Sequence, residues 1–183
     1  DQLSTRFAAY LQTETSLVPG DRIAIQLPNL LQFPIALFGA IKAGLVVVST
    51  NPLYTAHEMK HQFRDSGAKG IVILESFCQK LEEILPNTQI ETVIVATLGD
   101  IRSAVARFGI NFIAKYVKGV VPAYSLKGAV YLEKALKNRC AFDGSLSTSL
   151  DETAVLLYTG GTTGVAKGAM LSHRNILTNM MQL

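Results

Sequence analysis

Glycine, threonine and lysine are concentrated in one stretch near the end of the 183-residue chain, between Tyr158 and Gly168. Glycine lacks Cβ, so such a loop can adopt positive φ and bring its backbone N–H groups close to a ligand. Successive N–H groups form a concave site for an anion, and Lys167 adds a positive charge. Each charge-assisted hydrogen bond contributes about 1.5–3 kcal/mol. The stretch therefore predicts a phosphate-binding loop, whose small residues are Thr159, Gly160, Gly161, Thr162, Thr163, Gly164 and Gly168.

Two better-known phosphate loops do not fit this stretch. The Walker A loop has a lysine directly after glycine and before serine or threonine, whereas Lys167 follows Ala166 and precedes Gly168. The dinucleotide fingerprint would need glycine at the position of Thr159. A turn without a ligand is the remaining alternative, and the density of glycine, hydroxyl groups and positive charge argues against it.

The elements that must position the loop can be predicted from its flanks. The apolar run from Ala154 to Tyr158 predicts a buried strand, and Lys167 to Leu171 predicts a return strand. Residues 154–171 are therefore expected to form a strand, a phosphate loop and a strand. Ser172, followed three residues later by Asn175, is typical of a helix N-terminus with serine as the cap.

Short apolar strands alternate with helices in the first hundred residues. This order predicts an α/β fold: a mainly parallel sheet with helices on both faces. The predicted strands are Arg22–Leu27, Leu45–Val48, Gly70–Leu74 and Thr92–Ala96. The predicted helices are Leu3–Leu11, Pro28–Ala43, Thr55–Phe63, Phe77–Leu85 and Ala129–Asn138.

The loop and its surroundings resemble the adenylate-forming superfamily, which contains acyl-CoA synthetases, luciferases and adenylation domains. Residues 159–168 follow the family's Gly/Thr-rich loop, with Ala166 where proline is usual and Gly160 where serine is common. Residues 169–175, Pro19–Ala24 and Asn51–Thr55 extend the match, most closely to bacterial long-chain fatty acid–CoA ligases. The resemblance implies that residues 1–183 are a partial N-terminal AMP-binding domain, truncated at both ends, from the large domain of such an enzyme.

The resemblance also implies a reaction and a set of site residues. A fatty acid would be activated with ATP to an acyl-adenylate and then transferred to CoA, with Mg²⁺ required. Thr162 and Lys167 would be catalytic, and Thr162 would also bind the metal. The residues expected to bind the nucleotide are Thr159, Gly160, Gly161, Thr162, Thr163, Gly164, Lys167, Gly168 and His173. The other parts of the family's site would follow Leu183, so the isolated fragment is expected to be inactive.

Three other functions stay open at this point. A sister ligase could activate an aryl or amino acid carboxylate, and a nucleotide-binding module could lack catalysis. The third is a zinc hydrolase, because His57, Glu58 and His61 fit the H-E-x-x-H pattern, with Glu82 as a further ligand. Thr55 and Glu58 also fit a helix capping box, which would occupy the carboxylate and favours a structural role.

Residues 101–126 form a basic, amphipathic insertion, with no acidic residue between Ile101 and Leu132. Polar side chains recur at helical spacing and leave a wide apolar face opposite. The polar positions are Ser103, Arg107, Asn111, Lys115 and Lys118. Such a helix can lie on an anionic membrane or pack into the core with its lysines reaching water. The resemblance favours the membrane.

Composition restricts the remaining possibilities. The net charge is only +3, and no basic patch alternates with aromatic residues, so a nucleic-acid partner is not expected. Two distant cysteines, Cys78 and Cys140, indicate a reducing compartment. We expect a cytoplasmic protein without a membrane span, peripheral on the inner face of the membrane, and the resemblance leaves a homodimer open.

Overall fold

The computed structural model describes residues 1–102, 104–159 and 166–182. Helices and strands alternate along most of this length. In order, the elements are α1 (Gln2–Glu14), β1 (Arg22–Gln26), α2 (Gln32–Lys42), β2 (Val46–Ser49), α3 (Ala56–Ser66), β3 (Gly70–Leu74), α4 (Cys78–Ile84), β4 (Thr92–Ala96), α5 (Ala104–Phe112), β5 (Val130–Tyr131), α6 (Leu132–Leu136), β6 (Thr153–Thr159), β7 (Lys167–Ser172) and α7 (His173–Met181).

The described strands form one seven-stranded sheet in the order β5-β4-β3-β1-β2-β6-β7. All neighbouring pairs from β5 to β6 are parallel, and only β7 runs antiparallel, against β6. The prediction of a mainly parallel sheet is therefore confirmed. Because parallel strands end at the same edge of a sheet, the residues after β1, β2, β4 and β6 lie along one edge, where α/β proteins bind their ligands.

Helices cover both faces of this sheet, as predicted. Successive side chains of a strand point to opposite faces, so Ile23 and Ile25 pack with α1, α2 and α6, while Ala24 between them packs with α3 and α4. The strand β3 is buried along its whole length, as expected for a central strand covered twice.

Two predicted helices begin at least three residues later in the structure than expected. The helix expected over Pro28–Ala43 begins only at Gln32. The helix expected over Ala129–Asn138 is wrong at its start, because Val130 and Tyr131 pair with β4 as a short parallel strand. The open edge of β4 offers hydrogen-bond partners that a helix start would leave unused, and the helix α6 begins only after this pairing.

The basic segment forms the helix α5, continued by one π-helical turn over Ile113–Val117. The chain leaves the helix before Gly119, which has a positive φ of 60°. Most of the large apolar side chains of this segment are exposed, Val105 being 87% and Phe108 74% exposed. A core helix would bury them, so that alternative is wrong for the described residues, while Ser103 lies outside them. No helix in the described ranges is long and apolar enough to cross a membrane.

Candidate functional site

The predicted phosphate loop sits at the end of an antiparallel hairpin. Strand β6 leads into it and β7 leads out of it, with Thr159 paired to Lys167 and Tyr158 paired to Gly168. This register places Thr159 and Lys167 opposite each other at the mouth of the loop. The predicted site residues Gly160, Gly161, Thr162, Thr163 and Gly164 lie outside the described residues.

The ammonium group of Lys167 is available for an anion. The side chain is exposed, and none of the carboxylates in the described part of the chain lies within ion-pair distance of it. Thr159 is exposed as well. A hydroxyl group and a positive charge therefore flank the loop, and neither is buried against the protein.

Tyr158 supports the stem below this pair. Its hydroxyl donates a 2.6 Å hydrogen bond to Asp65 Oδ2 on α3, and burial, together with this bond, raises the pKa of Tyr158. The ring lies against Gly168 on the opposite strand, where an added Cβ would approach ring carbons to 3.0–3.1 Å. Close packing against the ring therefore favours glycine at 168, in addition to any role in ligand binding. The hydrogen bond to Asp65 joins the hairpin to α3.

A second contact between α3 and the loop comes from His61. Its Nε2 lies 3.3 Å from the carbonyl oxygen of Ala166, the residue that follows the undescribed part of the loop. A ring N–H at this position donates to that carbonyl. In the sequence, His61 stands out only as part of a metal motif, because nothing in the local sequence signals contact with a residue 105 positions away.

A cleft with a volume of about 810 Å³ opens beside the hairpin, at the carboxyl ends of β1, β2 and β6. Its polar and apolar lining includes Ser49, Asn51, Tyr54, His57, Gln62, Leu157, Tyr158 and Ala166. The loop stem forms one wall and α3 another, so a ligand held by the loop could extend into this space.

Gln62 contributes a buried polar group to the cleft. Only 1% of the residue is exposed, and its Nε2 donates to the Ser49 carbonyl at 3.0 Å. Its Oε1 has no hydrogen-bond donor among the described protein residues. A buried acceptor without a donor costs about 1–3 kcal/mol, so this wall can accept a hydrogen bond from a ligand.

His173 lies at the other end of the hairpin. It is the first residue of α7, and its backbone N–H donates to the Glu152 carbonyl before β6 begins. Six residues separate it from Lys167, which corresponds to roughly 20 Å along a strand. The structure therefore does not bring His173 together with the mouth of the loop, and its nucleotide role stays a prediction. The predicted cap is confirmed, since Ser172 and Asn175 form a capping box.

The zinc alternative gains no support. Glu58 accepts hydrogen bonds from the backbone and hydroxyl of Thr55, both at 2.7 Å, which lower the pKa of its carboxyl. Glu82 accepts instead from the backbone of Ser125. Within the described ranges, no group of three or more His, Cys, Asp or Glu residues could hold a metal ion.

The chain is an α/β domain with a cleft at the carboxyl edge of its parallel sheet, beside the β6–β7 hairpin. Domains of this architecture bind ligands at that edge. The chain belongs to the AMP-binding enzyme family, which matches it over residues 1–183. This match confirms the resemblance to adenylate-forming enzymes drawn from the loop.

Relatives in that family carry a more specific description. A long-chain-fatty-acid–CoA ligase from Escherichia coli is 47% identical, and one from Haemophilus influenzae is 49% identical. Each match covers all of this chain but 33% of the relative, so the chain spans about a third of the length of these proteins. A solved long-chain-fatty-acid-CoA ligase from Archaeoglobus fulgidus shares the fold, with a TM-score of 0.70 and 20% identity over 99% of this chain and 30% of that one.

Proposed function

We propose that this chain provides the phosphate-binding hairpin of an ATP-dependent long-chain fatty acid–CoA ligase. The observation that carries the proposal is the exposed pair of Thr159 and Lys167, set across the mouth of the loop beside the cleft. Relatives described as long-chain-fatty-acid–CoA ligases, 45–49% identical over the whole chain, support the choice of substrate.

The proposed reaction has two steps. An oxygen of the fatty acid carboxylate attacks the α-phosphorus of ATP, and the bond to the β-phosphate oxygen breaks, so that pyrophosphate leaves and an acyl-adenylate forms. The sulfur of CoA then attacks the acyl carbonyl after losing its proton, AMP leaves, and a thioester remains. The first step brings two anions together, so it requires donors and positive charge held in place beforehand.

The chain's own residues would supply these groups. The loop would wrap the β- and γ-phosphates with its N–H groups and with the hydroxyls of Thr159 and Thr163. Lys167 would neutralise charge on the departing pyrophosphate. The hydroxyl of Thr162 would hold Mg²⁺, which offsets phosphate charge when bound. Contacts from α3 to Tyr158 and Ala166 would keep the stem in place while the ligand binds.

The test is the double variant Thr162→Val with Lys167→Ala in the full-length ligase. Acyl-adenylate formation from ATP and a long-chain fatty acid should fall roughly a hundredfold or more, as when preorganised donors are removed elsewhere. Thr178→Val with Lys134→Ala is the matched control, because both residues are exposed on other helices. A loop variant that forms adenylate at nearly the parent rate would contradict the proposed roles.

A panel of acids separates the related functions. ATP–pyrophosphate exchange that requires a long-chain fatty acid supports the proposal. Exchange driven by an aryl or amino acid indicates a sister ligase. ATP binding without exchange at full length indicates a non-catalytic module.

We further propose that the protein is cytoplasmic and contacts the membrane peripherally through residues 101–126. We also propose that it forms a homodimer, which a measurement of its molecular mass in solution would test.

A further inference from the structure

One face of α3 carries basic side chains next to the phosphate-loop hairpin. His57, Lys60, His61 and Arg64 follow one another at spacings of three, one and three residues, which places them on the same side of a helix. Together with Asp65 they line a hollow with a volume of about 560 Å³. The two histidines also line the cleft beside the hairpin, so the hollow and the cleft adjoin each other along α3.

The positive charges of this hollow are not neutralised by the described part of the chain. Arg64 is exposed and Lys60 is partly exposed, and neither lies within ion-pair distance of a described carboxylate. The carboxylates of the helix have other partners, Asp65 the Tyr158 hydroxyl and Glu58 the start of the helix. The hollow therefore presents two cations that an anion can bind.

The proposed reaction contains an anion of suitable shape. The phosphates of ATP belong to the loop, so the hollow on α3 lies beyond the groups that ATP needs. The second substrate, CoA, carries its phosphates at one end and its thiol at the other, joined by a flexible arm with amide N–H groups. The thiol must reach the acyl group near the loop, while the phosphates can stay at the surface.

We infer that the hollow on α3 binds the phosphates of CoA and that the adjoining cleft receives its thiol-bearing arm. Arg64 binds phosphate oxygens through its planar guanidinium group, and Lys60 adds a point charge. In the cleft wall, Oε1 of Gln62 has no donor among the described protein residues, and an amide N–H of the arm supplies one. The inference rests on the proposed ligase function and gives the position of its second substrate.

The test compares two thiol substrates of the full-length ligase, CoA and pantetheine, which has the same arm but no phosphate. Lys60→Gln with Arg64→Gln should lower kcat/KM for CoA about tenfold, because two charge-assisted hydrogen bonds at an exposed surface are lost. The value for pantetheine should stay near that of the parent. Both values come from the same protein preparation, so a partly unfolded variant does not change their ratio.

The matched control is Arg6→Gln with Lys134→Gln, two exposed cations on α1 and α6 that form no ion pair with a described carboxylate. It should keep the parent ratio of CoA to pantetheine. An unchanged ratio in the α3 variant overturns the inference, as does an equal fall in the control. A raised KM for ATP with an unchanged ratio also overturns it and assigns the hollow to ATP.

ATP–pyrophosphate exchange separates this inference from the proposed function, because exchange does not involve CoA. If the parent shows exchange with a long-chain fatty acid and the α3 variant keeps the parent ratio of thiol substrates, only the CoA site is wrong. If the parent shows no exchange with any acid, the ligase function fails and the CoA site fails with it.

Discussion

The contact between Gly168 and Tyr158 predicts a measurable cost for adding one methyl group to the hairpin stem. In Gly168→Ala, the new Cβ would lie 3.0 Å from Tyr158 Cε2, 3.1 Å from Cζ and 3.3 Å from Oη. The ring cannot move away freely, because its hydroxyl is held at 2.6 Å by Asp65. The substitution must therefore either displace the ring, with loss of that hydrogen bond, or separate the two strands.

Two opposing effects set the magnitude. Alanine loses less conformational entropy than glycine on folding, which favours the variant by roughly 0.5–1 kcal/mol. Overpacking costs about 1–3 kcal/mol, and the lower half of that range applies because a shift of a few tenths of an ångström relieves the contact. We expect a net loss of about 1 kcal/mol in the free energy of unfolding, measured by urea titration.

Gly109→Ala provides the matched control. Gly109 lies within α5, and an added Cβ would meet no atom within 4 Å. Only the entropic gain remains there, so this variant should be more stable than the parent by roughly 0.5–1 kcal/mol. The two glycine-to-alanine changes should therefore shift the urea midpoint in opposite directions.

A double-mutant cycle isolates the cause. In the Tyr158→Phe background the ring is no longer held by Asp65, so the cost of Gly168→Ala should shrink by about 0.5–1 kcal/mol. The reasoning fails if Gly168→Ala raises the urea midpoint as Gly109→Ala does, or if its cost is the same with and without the tyrosine hydroxyl.

Two further predictions concern the loop contact and the thiols. His61→Ala in the full-length ligase should raise the KM for ATP about two- to fivefold with kcat nearly unchanged, because one long neutral hydrogen bond is lost. His61→Gln keeps an N–H donor, so its KM for ATP should stay near the parent value. ATP–pyrophosphate exchange measures both variants. Cys140 is exposed, whereas burial raises the pKa of the Cys78 thiol to about 12. An aromatic disulfide reagent near neutral pH should therefore modify Cys140 quickly and Cys78 only on unfolding. Equal modification rates for the two thiols in the native protein would contradict this prediction.

Local patterns predicted much of the fold. The strands Gly70–Leu74 and Thr92–Ala96 have the boundaries expected from their short apolar runs. The capping residues at Thr55 and Ser172 start helices as predicted. Strand boundaries and helix caps of this kind depend on neighbours within a few residues, so the local sequence is sufficient to predict them.

Other features depended on neighbours that are distant in sequence. Val130 and Tyr131 became a strand because β4 offered an open edge, and a two-residue strand has no periodicity to reveal it. For the amphipathic helix α5 the sequence showed two faces but not which one would pack. Asn111 contacts Thr97 and Arg107 contacts Glu133, so the polar face packs on the protein and the aromatic face stays exposed.

The sequence by itself determined the alternation of strands and helices, because residue type and short spacing determine local periodicity and backbone freedom. The phosphate-binding role of the loop stays a prediction from the same kind of local pattern. Only the tertiary structure brought α3 against the hairpin, placing His61 beside Ala166 and Asp65 beside Tyr158. The structure also places His173 at the far end of the hairpin from Lys167, because the extended strand β7 lies between them. Contacts across a hundred residues arise from packing two layers on one sheet, and no local pattern records them.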